Sequence, residues 1–203
     1  MFRCKPKSAT QNIFRVHLIG LVIIAILISC ARRTDKEILK GKLLESVNED
    51  DNPYLGLRVQ AISVKPEQLG LAIAQDTTRV YGILMDWEIQ GGIATIVAYS
   101  TGDASLYLSS GGGIIGGGQH KNVSKAAKEW VLLADRFINK QIATKTALPG
   151  AGYTGFFLLT NKGIEANYIE TAKLEDASSP YAPLFQKANV VIGELKSVSE
   201  ARE

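Results

Sequence analysis

Residues 79–109 read RVYGILMDWEIQGGIATIVAYSTGDASLYLS, three apolar runs separated by two glycine-containing turns. In the first run Tyr81, Ile83, Met85, Trp87 and Ile89 recur at every second position, the period at which a strand presents one face. Gly91 and Gly92 suit a tight hairpin turn because glycine accepts positive φ. The second run, IATIVAYS, is apolar on both faces, as a strand covered on both sides would be. The TGD of residues 101–103 makes the next turn, and ASLYLS follows as a third strand. The stretch therefore reads as an antiparallel meander.

The flanking sequence completes the layout. Upstream, residues 55–64 place Leu55, Leu57, Val59 and Ala61 in alternation with Arg58 and Gln60, which reads as a half-buried strand. Downstream of the meander, residues 122–141 carry apolar side chains at 3.6-residue spacing, and Asn122 or Ser124 could cap the start of that helix. GYTGFFLLTNKGIEANYIE reads as a hairpin turning at Asn161, Lys162 and Gly163. The last helix is expected to begin with Ser179 as its cap and Pro180 in its first turn. The order strand, three strands, helix, two strands, helix defines an α+β fold, an antiparallel sheet of about six strands with helices packed on it.

That order loosely resembles profilin-like, longin and roadblock-type domains, a likeness of architecture that implies no function. The segments YGILMDW and ASLYLSSGGGIIGGGQH together resemble an uncharacterised bacterial protein family, which implies no activity either.

The N-terminus speaks to location. Arg3, Lys5, Lys7 and Arg15 precede the apolar run LIGLVIIAILIS, the layout of a secretory signal over residues 1–29. The run is shorter than the ~20 residues a spanning helix needs, and an uncleaved anchor over residues 16–31 is the alternative. LISCA, ending in Cys30 and Ala31, resembles the lipobox of bacterial lipoproteins; the resemblance implies acylation of Cys30, and Ala31 after it is similar to lipoproteins sorted to an outer membrane where the cell has two. Residues 30–53 read as a charged tether and residues 54–198 as a single domain. Loss of the signal would leave 19 basic against 20 acidic residues, so the formal charge of +3 on the whole chain gives no case for a nucleic-acid partner. With Cys4 removed and Cys30 acylated, no cysteine is left for a disulfide or a thiolate metal site. The acidic NEDDN lacks the spacing and glycine of a calcium loop.

The candidate chemistry gathers in SSGGGIIGGGQHK, with six glycines in eight residues. Gly111, Gly113 and Gly116 match the dinucleotide pattern G-x-G-x-x-G, but the expected helix starts six residues past Gly116 and the preceding strands are antiparallel. Gly116, Gly117 and Gly118, with His120, Lys121, Lys125 and Lys128, could form a looser anion site at a helix start; a slack connector beside a solvated face is the plainer reading. His120 with Ser109 or Ser110 and Asp86 has the composition of a triad without its nucleophile elbow. Asp86 is expected on the solvent side of its strand with Glu88, a buried functional carboxylate being the alternative. No cofactor and no metal are expected. The expected function is a lipid-anchored, non-catalytic binding or assembly domain, with an envelope protein or a second copy as partner. A small anionic-ligand domain or enzyme using residues 111–121 is the alternative.

Overall fold

The structure is a computed structural model and describes residues 52–139 and 141–201. The expected signal, Cys30 and the tether up to Asp51 lie outside those residues. Asn52–Glu203 forms one compact unit, and the described core lies entirely within it, from Tyr54 to Leu195.

Four strands run outward from the centre of the sheet: β1 (Val80–Ile89), β2 (Gly92–Tyr99), β3 (Ala104–Leu108) and the two-residue β4 (Gly113–Ile114). Helix α2 (Lys121–Ala134) then carries the chain back, and β5 (Tyr153–Thr160) pairs with the free side of β1, followed by β6 (Gly163–Glu170). The resulting order is β4-β3-β2-β1-β5-β6, antiparallel throughout. A four-residue helix, α3 (Thr171–Leu174), and the long α4 (Ala182–Glu200) finish the domain. The fold is α+β, with a six-stranded antiparallel sheet.

The segment expected as the first strand is instead helix α1, Pro53–Ser63. Its start is set by Asn52, whose side chain accepts from the N–H groups of Tyr54 and Leu55, and by Pro53 in the first turn. Tyr54, Arg58, Ala61 and Ile62 recur at helical spacing and are its buried residues. The sixth strand comes from β4, inside the glycine-rich segment, rather than from residues 55–64. Four boundaries also move. Helix α2 stops at Ala134 and passes into a 3-10 turn, Asp135–Phe137, short of residue 141, the end that the apolar spacing predicts. The first hairpin turns on Gln90 and Gly91, both at positive φ, rather than on Gly91 and Gly92. The N-cap position of helix α2 is His120, not Asn122 or Ser124. Helix α4 starts behind Tyr181, with Pro183 in its first turn, instead of at Ser179 and Pro180.

Each face of the sheet has its own core. On one face Ile83, Met85, Ile96 and Phe156 pack against Trp130 of α2 and Leu184 of α4. On the other, Leu84, Val97, Tyr99 and Phe157 pack against Tyr54 and Ile62 of α1. A register shift between Val80 and Gly82 in the β1–β5 pairing moves Tyr81 to the α1 face, away from Ile83 and Met85, with which alternation alone had grouped it. The alanines of α2 let it lie close: Ala126, Ala127 and Ala134 are all buried beside Trp130.

The Trp130 indole N–H has no hydrogen-bond partner among the described groups although the side chain is fully buried. Trp130→Phe, which removes that unsatisfied donor while retaining an aromatic ring, should therefore cost much less stability than Trp130→Ala. The alanine variant should lose ~3–5 kcal/mol. Urea unfolding of the isolated domain, residues 52–203, measures both.

Candidate functional site

Asp86 lies in the middle of β1 with no exposed surface, a correction to the solvent-side placement. A transverse row of the sheet runs through it, Gly113–Tyr107–Thr95–Asp86–Gly155–Tyr168, one residue from each strand. Helix α1 lies on this face and brings Arg58 to the carboxylate. Arg58 Nε donates to Asp86 Oδ2 at 2.8 Å, and Nη2 stands 2.6 Å from the same oxygen. Nη2 also donates to the carbonyl of Thr146 at 2.9 Å, and the guanidinium sits over the Phe157 ring at 5.1 Å. On the other side, Thr95 Oγ1 donates to Asp86 Oδ1 at 2.6 Å. Thr95 has a single hydroxyl proton, so the 2.8 Å contact between Tyr54 and Thr95 must have Tyr54 as donor.

Burial pushes the Asp86 carboxyl above its ordinary range, while the Arg58 charge and the Arg58 and Thr95 hydrogen bonds pull it back. Burial, aided by the nearby Asp86 charge, pushes the Tyr54 phenol up to about 12, so it keeps the proton it donates. Both Asp86 oxygens are thus engaged, and the group joins α1, β1, β2 and the loop at Thr146. Such a network positions a helix, and with no exposed surface the carboxylate is shielded from solvent.

The glycine-rich segment is folded, not slack. Gly111 and Gly112, with φ of +100° and +80°, turn β3 into β4, closed by bonds between the backbones of Leu108 and Gly111 and of Leu108 and Gly112. Gly113 packs directly on the Leu106 carbonyl, Gly117 on Leu195 and Val123, and Gly118 on Asp103, each so closely that a Cβ would overlap its neighbour. Gly116 adopts a left-handed conformation and leads into a single 3-10 turn, Gly117–Gln119. The unusual glycine content is therefore accounted for by turn geometry and by close packing of the loop on β3 and α4.

The expected site residues do not converge on one place. Gly111 and Gly113, with Ser109 and Ser110, line a cleft of about 460 Å³ against the start of α1, where Tyr54, Leu57 and Tyr107 supply apolar surface. Gly118, Lys121, Lys125 and Lys128 line a separate, shallow cleft of about 420 Å³ at the start of α2, basic on balance, with Glu129 also in its lining and 4.0 Å from Lys125. His120 shares a third hollow with Asn122 and Glu194. A Ser–His–Asp triad is not assembled: Asp86 is committed to Arg58 and Thr95 on the α1 face, whereas His120 stands at the N-cap position of α2, which packs on the opposite face. Ser109 Oγ, for its part, accepts the N–H of Ile93 at 2.8 Å. Among the described residues no group of three or more His, Cys, Asp or Glu is placed to hold a metal ion, and no helix is long and apolar enough to cross a membrane.

Arg58 and Thr95 were not singled out by sequence. The Asn52–Pro53 cap-and-proline pair was the available signal for α1, and a helix there would have put Arg58 on the same side as Tyr54 and Ile62. No protein-family model, curated protein or solved structure matches this chain.

Removal of one partner from the buried pair strands the other. Arg58→Ala should cost ~3–5 kcal/mol, and Arg58→Met combined with Asp86→Leu should recover much of that loss. Unfolding of the two variants against the parent domain reads the difference. A smaller cost for Arg58→Ala than for the double variant would contradict a closed, structural pair.

Proposed function

We propose that this chain is a lipid-anchored cell-envelope protein, tethered through Cys30, whose folded domain works by binding another protein and not by catalysis. The observation that carries the binding reading is the cleft between α1 and the glycine-rich hairpin. It is concave, about 460 Å³, and lined by Tyr54, Leu57, Tyr107, Leu108 and Ile115. Its polar side chains, Asn52, Ser109 and Ser110, are neutral. An uncharged, largely apolar hollow at this scale suits an inserted apolar side chain. The anchoring half rests on the LISCA sequence and the basic, apolar segment before it.

A second reading draws on the cationic cleft. Helix α2 has no side-chain cap and no acidic residue in its first turn, while Lys121, Lys125 and Lys128 all stand exposed. That arrangement supports binding of a small anion such as inorganic phosphate.

Three measurements test these readings. Palmitate labelling of the cells' protein should be lost in Cys30→Ser; equal labelling of the parent and this variant rejects the anchor. A photo-crosslinking residue in place of Leu57 should give one discrete adduct in intact cells, while one in place of Lys173, on the short helix that follows the opposite edge strand β6, should not. The same adducts at both positions, or none at either, would reject the cleft as a docking surface. For the second reading, inorganic phosphate should raise the unfolding temperature of the domain and lose that effect in Lys121→Gln/Lys125→Gln.

A further inference from the structure

The two edges of the sheet are not alike. At the β6 edge an outer segment is already in place: Ile142 bridges Glu165, and the Ala143 N–H donates to the Ile164 carbonyl at 2.7 Å. At the other edge β4 is the terminal strand and pairs with only two residues of β3, Leu106 and Tyr107. Immediately after β4 stands Ile115, 62% exposed, on the rim of the apolar cleft described above. Among the described residues the other exposed aliphatic side chains are Leu132 and Val190 on the helical layer, Ile142 on the segment bridged to β6 and Ile89 at the end of β1, and none of them lines the three clefts that border the glycine-rich segment.

We infer that the partner of this cleft is a second copy of the same chain, the two joined across a twofold axis with β4 antiparallel to its counterpart and Ile115 of each copy seated in the cleft of the other. The inference rests on the binding role proposed above and names its partner. A twofold interface must carry a projection and its receptor on one patch, because each copy offers the same surface. Here the projection, Ile115, and the receptor, bounded by Tyr54, Leu57 and Tyr107, are adjacent. Self-pairing also requires that identical surfaces do not repel. Among the described residues the cleft lining contains no Asp, Glu, Lys, Arg or His side chain, so juxtaposing that lining with itself brings no like charges of its own together. An antiparallel β4 pair would meanwhile give the open strand edge a backbone partner.

Sedimentation equilibrium of the isolated domain, residues 52–203, over a dilution series tests this. The parent should pass from monomer to dimer, and Ile115→Glu should weaken the dimer by ~10-fold or more, the scale set by one buried aliphatic side chain. Leu132→Glu, at a more exposed position on the helical layer, should dimerise like the parent. Circular dichroism and thermal unfolding of both variants should match the parent, since neither side chain belongs to the core. A parent that stays monomeric throughout the series, or an Ile115→Glu variant that dimerises as well as the parent, overturns the inference. If the parent is monomeric and a residue at Leu57 still crosslinks to a different protein in cells, the binding role survives and only self-association fails; a monomer with no adduct removes both.

Discussion

A carboxylate with no exposure to water sits at the centre of the central strand, and the α1 side of the domain is organised around it. Asp86 is tolerable there only because Arg58 and Thr95 meet both of its oxygens. Arg58 does so from α1, which packs on this face of the sheet. Its second contact, with the Thr146 carbonyl, fixes the loop that leads into β5. Helix orientation, strand environment and loop position are therefore one problem with one solution. A purely apolar pairing of α1 with the sheet would tolerate sliding by a turn; a buried ion pair does not.

The opposite face obeys a different constraint, that of close approach. Gly117 lets Leu195 of α4 and Val123 of α2 meet over the end of the 3-10 turn, and Gly118 lets the turn rest on Asp103. Gly113 brings the short β4 against the Leu106 carbonyl. The hairpin that results seals β3 on one side and builds one wall of the apolar cleft on the other. Packing and surface shape come from the same few residues without side chains.

The meander, the main amphipathic helix and the second hairpin were legible in the sequence because each repeats its apolar residues at the right period for long enough. Residues 55–64 were not. Leu55, Leu57, Val59 and Ala61 alternate as in a strand, and in so short a segment Tyr54, Arg58, Ala61 and Ile62 satisfy a helical period equally well. The Asn52–Pro53 start would have decided between them. The burial of Asp86 was illegible for a different reason. Asp86 and Glu88 point to the same face, but α1 covers the first and not the second, which is half-buried and accepts from Gly91 and Gly152. Alternation reports which side a residue faces, not how far a covering helix extends. Likewise, a run of glycines looks the same in sequence whether it is slack or packed against a neighbour.

The attachments of α1 set an order of events in synthesis. Arg58 finds Asp86 28 positions later in the chain, Tyr54 finds Thr95 after 41, and Arg58 reaches Thr146 only after 88. Chains are made from the N-terminus, so the first helix of the domain to emerge is among the last to gain its full set of partners. Until β5 and its preceding loop are in place, α1 lacks the Thr146 carbonyl and the Phe157 ring that complete the surroundings of Arg58. The α1 side of the domain thus joins the start of the chain to segments made much later, and each such contact closes a long loop.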